Sequence, residues 1–120
     1  MPHLHLEYTA NLTQLDTDKA LLRLNHALVA SGQFGAEFDV KSRALKIGSF
    51  RVGTGLNERG FVAGRLALLG GRSAQIKTQL SESLLAVLQD IGDWPEGVQV
   101  QLSVEVRDMD RDTYSKVAIG

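Results

Sequence analysis

A chain of 120 residues that is 43% hydrophobic is long enough to bury one core and too short for two independent ones. Thirteen Lys and Arg against fourteen Asp and Glu leave a formal charge of -1 at pH 7, which offers no electrostatic footprint for nucleic acid or an anionic membrane surface. There is no cysteine, so disulfides, thiolate nucleophiles and zinc ribbons are excluded. With no basic leader and no apolar run near the roughly 20 residues of a membrane span, the expected location is the cytoplasm.

The chain opens MPHLHLEYT, where Leu4, Leu6 and Tyr8 alternate with His3, His5, Glu7 and Thr9, a period of two that predicts a half-buried strand over 3–9. Pro2 stands directly before it, where a residue without an N–H is tolerated. Asp16, Thr17 and Asp18 supply an N-cap oxygen and first-turn negative charge, so a helix starts near 15–18. Leu21, Leu24 and Leu28 form its buried stripe, and Gly32 is placed to end it after about Ser31. From Phe38 the period of two returns through Val40, Ser42 and Ala44, then slips by one residue to Leu45 and Ile47, which predicts a second strand with a bulge or bend.

The glycine-rich segment GSFRVGTGLNERG reads as a hairpin or loop, with Phe50 and Val52 suggesting one short extra strand. FVAGRLALL, residues 61–69, is apolar on both faces apart from Arg65 and predicts a central strand. Ser73 caps the next helix, whose face is traced by Ile76, Leu80, Leu84, Val87, Leu88 and Ile91, and Gly92 closes it. Trp94, beside Pro95, reads as a packing plug. VQVQLSVEV, residues 98–106, alternates strictly and predicts the last strand, and the tail from Asp108 is charged and less regular.

Strand, helix, strand in each half gives two βαβ units, about 1–56 and 57–120, of one domain over 1–120: an α+β fold with a mixed sheet and both helices on one face. Phe61, Ala63, Ala67 and Leu69 would then leave the second sheet face too apolar for a comfortable monomer, so oligomerisation through it is expected.

Chemistry centres on Pro2. If Met1 is removed, the proline becomes a secondary amine whose pKa an apolar or cationic site lowers toward neutrality, as a general base requires; otherwise Pro2 only punctuates the strand. Lys41 and Arg43 share one strand face and could grip a dianionic substrate, or stand as solvated strand charges. His3, His5 and His26 lack a clear acidic partner besides Glu7, and no metal is expected. Arg72, in GGRS, could meet an anion at the helix start but reads first as a turn residue.

The ordered segments MPHLHLEYTANL, VASGQF, VKSRA, LGGRS and LSVEVRDMD resemble the 5-carboxymethyl-2-hydroxymuconate isomerases of the tautomerase superfamily over nearly the whole chain. That resemblance implies a homotrimer and an isomerase with no cofactor or metal. In it the processed N-terminal proline, here Pro2, moves a proton along the dienol of a dicarboxylate or tricarboxylate substrate, and cationic side chains stabilise the dienolate. Where the family reads I-R-S-R, this chain has Val40, Lys41, Ser42 and Arg43, so a lysine replaces the active-site arginine and loses its bidentate fork. Two other readings remain: a trimer of this fold that binds ligands or tautomerises promiscuously without that isomerase step, and a plain oligomerisation domain. A retained Met1 makes the proline nitrogen an amide and favours the former.

Overall fold

The computed structural model describes all 120 residues. Its elements run β1 (His3–Thr9), α1 (Thr17–Ala30), β2 (Lys41–Ile47), β3 (Arg59–Leu69), α2 (Ala74–Asp90) and β4 (Gln99–Met109). Short 3-10 turns cover Glu37–Asp39 and Arg111–Thr113. The four strands form one sheet in the order β2-β1-β3-β4. β1 and β2 are parallel, β3 and β4 are parallel, and the two pairs meet antiparallel through β1 and β3. This is the expected mixed α+β arrangement of two βαβ units.

Both helices begin where their sequence signals lie. Asp16 caps α1 by accepting from the Lys19 amide at 3.1 Å, and the Ser73 hydroxyl caps α2 by accepting from the Ile76 amide at 3.2 Å. Gly32 follows α1 with φ of +73°, the left-handed conformation that lets the chain leave a helix. The buried leucines of α1 (Leu24, Leu28) and α2 (Leu80, Leu84, Leu88) close over Leu4 and Leu6 of β1 and Val62, Leu66 and Leu68 of β3, forming one continuous core on one side of the sheet. No helix is long and apolar enough to cross a membrane.

Three sequence expectations are corrected. β2 contains no bulge: its register with β1 is unbroken from His3 opposite Lys41 to Thr9 opposite Ile47. Leu45 and Ile47 only look like a slip because they lie on the sheet face turned away from the helices, which carries apolar residues of its own. Phe38 is not in the strand but in the preceding 3-10 turn, 72% exposed. No extra strand forms at Phe50 and Val52; Phe50 meets Phe61 edge-on at 6.4 Å between ring centroids, and the Val52 carbonyl accepts from Arg59 at 3.2 Å. β4, by contrast, is longer than expected and reaches Met109, paired with Leu69.

Trp94 does act as a plug. It packs against the core, and its ring lies directly over Gly92, where a Cβ would collide with the indole nitrogen. Arg72 is a latch rather than an anion site. Its guanidinium donates to the Gln33 side chain at 3.2 Å, to the Gln33 carbonyl at 2.6 Å and to the Leu69 carbonyl at 3.2 Å, and it stands 5.0 Å from the centroid of Phe34. It thereby ties the loop after α1 to the turn before α2, with its donors facing protein oxygens. Arg72→Ala is expected to lower unfolding free energy by about 2 kcal/mol, with Arg72→Lys recovering only part because it lacks the fork. Urea denaturation reads this, and an unchanged midpoint would mean that the latch carries nothing.

Candidate active site

Proline fits the head of β1 because the ladder asks it for a carbonyl, not an N–H. The Pro2 carbonyl accepts from the Lys41 amide at 3.1 Å, so the parallel β1–β2 pairing begins one residue before His3, and the Pro2 side chain is fully buried. The same pairing brings Lys41 beside the amino terminus. The Met1 amino group donates to the Asp39 carbonyl at 3.1 Å, and the Lys41 ammonium donates to that same oxygen at 3.0 Å. Burial lowers the pKa of the terminal amine, with Lys41 and then Lys116 adding to the effect and Asp39 opposing it. The β1–β2 pairing therefore brings Pro2 and Lys41 together.

Arg43 lies one pleat further along, on the same sheet face, and is otherwise engaged. Its guanidinium is 3.0 Å from His3 Nδ1 and 3.2 Å from His5 Nε2. Arginine only donates, so both ring nitrogens accept. His3 then carries its proton on Nε2 and His5 on Nδ1, opposite tautomers chosen by one guanidinium. This use of both imidazole lone pairs also argues against a metal centre here, and no group of three or more His, Cys, Asp or Glu side chains is placed to hold an ion. Burial depresses both imidazole pKa values, and Arg43 adds to the shift in each; Lys41 contributes at His3, while Arg65 contributes at His5 against Glu7.

The charge row continues across the sheet. Arg65, opposite His5, pairs with Glu105 at 3.0 Å, and Arg107 reaches the same carboxylate oxygen at 3.2 Å. A shallow depression on this face is lined by His5, Glu7, Arg65, Ser103 and Glu105, and neither Pro2 nor Lys41 borders it. A substrate that reacts at Pro2 would sit at the strand ends rather than in the middle of the sheet face.

Two residues of the amino-terminal cluster escaped the sequence reading. Asp39 supplies the carbonyl shared by Met1 and Lys41, and its carboxylate pairs with Lys116 at 2.6 Å, 77 residues away in the chain. No local pattern marks either one: Asp39 sits in the 3-10 turn, and Lys116 lies in a stretch without regular structure.

A four-stranded βαβ-βαβ sheet with two helices on one face, led by a strand that starts at a buried Pro2, defines a protein of the tautomerase class. The sequence profile of 5-carboxymethyl-2-hydroxymuconate isomerase matches residues 2–119, and the chain belongs to that family. It is thus an isomerase of the tautomerase type. Among solved structures, it is similar to a 5-carboxymethyl-2-hydroxymuconate isomerase from Deinococcus radiodurans R1, with 27% identity, a TM-score of 0.85, and coverage of 97% of this chain and 88% of that one. A 5-carboxymethyl-2-hydroxymuconate delta-isomerase matches at 18% identity and TM-score 0.72, covering 100% and 89% of the two chains. A fused 4-OT described as a symmetric trimer matches at 19% identity and TM-score 0.71, covering 98% and 93%. These last two show the shared fold. No curated protein sequence matches the chain.

The imidazole pair makes stability depend on pH in a defined direction. A histidine whose folded pKa lies below its unfolded value of about 6.5 contributes stability that is present above that pH and is lost as pH falls through the folded pKa. The lowered carboxylates, Asp39 and Glu105, act the same way, but only below about pH 4. The urea midpoint is therefore expected to fall as pH drops from 7 to 5, and to fall less in the His3→Gln/His5→Gln double variant. Equal slopes in the two proteins would contradict it.

Proposed function

We propose that the chain, once Met1 is removed, interconverts unsaturated enol and keto acids such as 5-carboxymethyl-2-hydroxymuconate, with the Pro2 secondary amine as base and then acid. The observation that carries this reading is the placement of Pro2: its carbonyl is tied to the Lys41 amide, and its ring is buried next to the Met1 amine, whose pKa is lowered by burial and by Lys41. Once Met1 is gone, the Pro2 amine becomes the new terminus in the same cationic, partly buried surroundings, which disfavour its protonated form as a general base requires. It takes the enol hydroxyl proton, the electron pair shifts through the conjugated diene, and the resulting ammonium returns a proton to a distant carbon. Charge develops on the dienolate and its carboxylates, and Lys41 stands where it neutralises that charge. Every atom balances without an added cofactor.

Arg43 enters the proposal with a different emphasis. It grips a second carboxylate of the substrate only by leaving His3 and His5, so it is the more distant of the two cationic clamps. Lys41 offers one point charge in place of a bidentate fork, which suits a substrate carboxylate held at one oxygen.

We further infer a homotrimer. The sheet face away from the helices carries Phe61, Ala63, Ala67 and Leu69 half-buried, with Leu45 59% exposed. A face of this kind is stabilised by burial against other copies. Support comes from the similar fold described as a symmetric trimer.

Mass spectrometry of the intact protein should show loss of Met1. The processed protein should isomerise a 2-hydroxymuconate-type dienol, and Pro2→Ala should lower kcat by about 10²-fold or more. Equal rates for the two proteins would refute Pro2 as the base. A protein that keeps Met1 in the cell would favour instead a trimer that binds ligands without this step.

A further inference from the structure

Lys116 is the one cation of the amino-terminal cluster that neither the family resemblance nor the proposed mechanism uses. It belongs to the stretch after the Arg111–Thr113 turn, which forms no helix or strand, yet its ammonium lies 2.6 Å from Asp39 Oδ1. Asp39 in turn offers its main-chain oxygen to Met1 at 3.1 Å and to the Lys41 ammonium at 3.0 Å. Four groups from three separate places in the chain therefore meet around the amino terminus: the Met1 amine, Asp39 with Lys41, and Lys116. An exposed ion pair is too weak to hold a tail in place by itself, so a latch is a poor account of why the tail returns here.

The charge balance is more informative. Lys41 and Lys116 bring two positive charges and Asp39 one negative, which leaves the site one positive charge for a substrate with at least two carboxylates. The Asp39 carboxylate is the removable one. Its side chain is 27% exposed and that of Lys116 36%, so solvent and solute reach the pair. A substrate carboxylate can replace Asp39 on Lys116, and the two lysines then hold by two point charges what one arginine fork holds in a single side chain.

We propose that Lys116 is a third cation of the Pro2 site, binding a substrate carboxylate in exchange for its resting partner Asp39. The inference rests on the reading of Pro2 as the reactive amine, and it assigns the tail a share in choosing substrates with more than one carboxylate. With Asp39 neutralised or displaced, the same ammonium also disfavours protonation of the nearby amine, so binding and base strength respond to it together.

The test uses the processed full-length protein, with the muconate dianion as probe and Pro2 labelled with ¹⁵N so that its amine is titrated directly by NMR, independent of turnover. Lys116→Ala should weaken muconate binding about tenfold and raise the amine pKa, while Lys116→Arg restores both. Asp39→Asn removes the competing negative charge and should move both quantities the opposite way: tighter binding and a lower amine pKa. Lys77→Ala, which breaks only the remote pair with Asp108, should change neither. The proposal is overturned if Lys116→Ala leaves both quantities unchanged, or if Lys116→Ala and Asp39→Asn shift them in the same direction, as loss of a mere latch would. Equal isomerase rates for Pro2→Ala and the parent would sink the base reading alone, since the binding and titration results stand without turnover.

Discussion

The parallel register of β1 against β2 is the constraint on which the rest of this molecule depends. Placing His3 opposite Lys41 sets Pro2 at the mouth of the ladder and the Lys41 ammonium beside the amino terminus. It also sets His3 and His5 within reach of one arginine. Side chains alternate with period two, so with Leu4 and Leu6 held in the core a slip of one residue would turn Lys41 and Arg43 toward the helices. Burial of those two leucines, each 1% exposed, is therefore also what aims the cations. Core packing and site chemistry are two faces of the same register.

Around the amino terminus the physics is a contest between burial, two lysines and one aspartate. Burial and the ammonium groups favour the neutral amine, and Asp39 favours the charged one. Asp39 plays two parts at once: its carbonyl gathers the amine and Lys41, and its carboxylate holds Lys116.

The second sheet face follows a different logic. Its middle carries a row of charges from Arg43 through His5 and Arg65 to Glu105, flanked by the apolar residues of β3. The half-buried aromatic and aliphatic groups beside this row are the part of the face that contact with another protein surface would stabilise. The same mixture explains why β2 looked irregular in sequence. Its apolar residues are shared between a face that packs on helices and a face that does not.

Read alone, the sequence determined the four strands of the sheet, both helices, their caps at Asp16 and Ser73 and the one-sided core. Each of these follows from short-range periodicity, from a cap that bonds three residues away, or from a motif in order along the chain. It did not yield the straight register of β2, the extension of β4 to Met109 or the engagement of Arg43 by two histidines. Those depend on which strands lie side by side, and periodicity within one strand carries no information about its neighbour. Asp39 and Lys116 were the least legible of all. Their bond spans 77 residues and links a 3-10 turn to a stretch without regular structure, so only the folded chain brings them to the amino terminus.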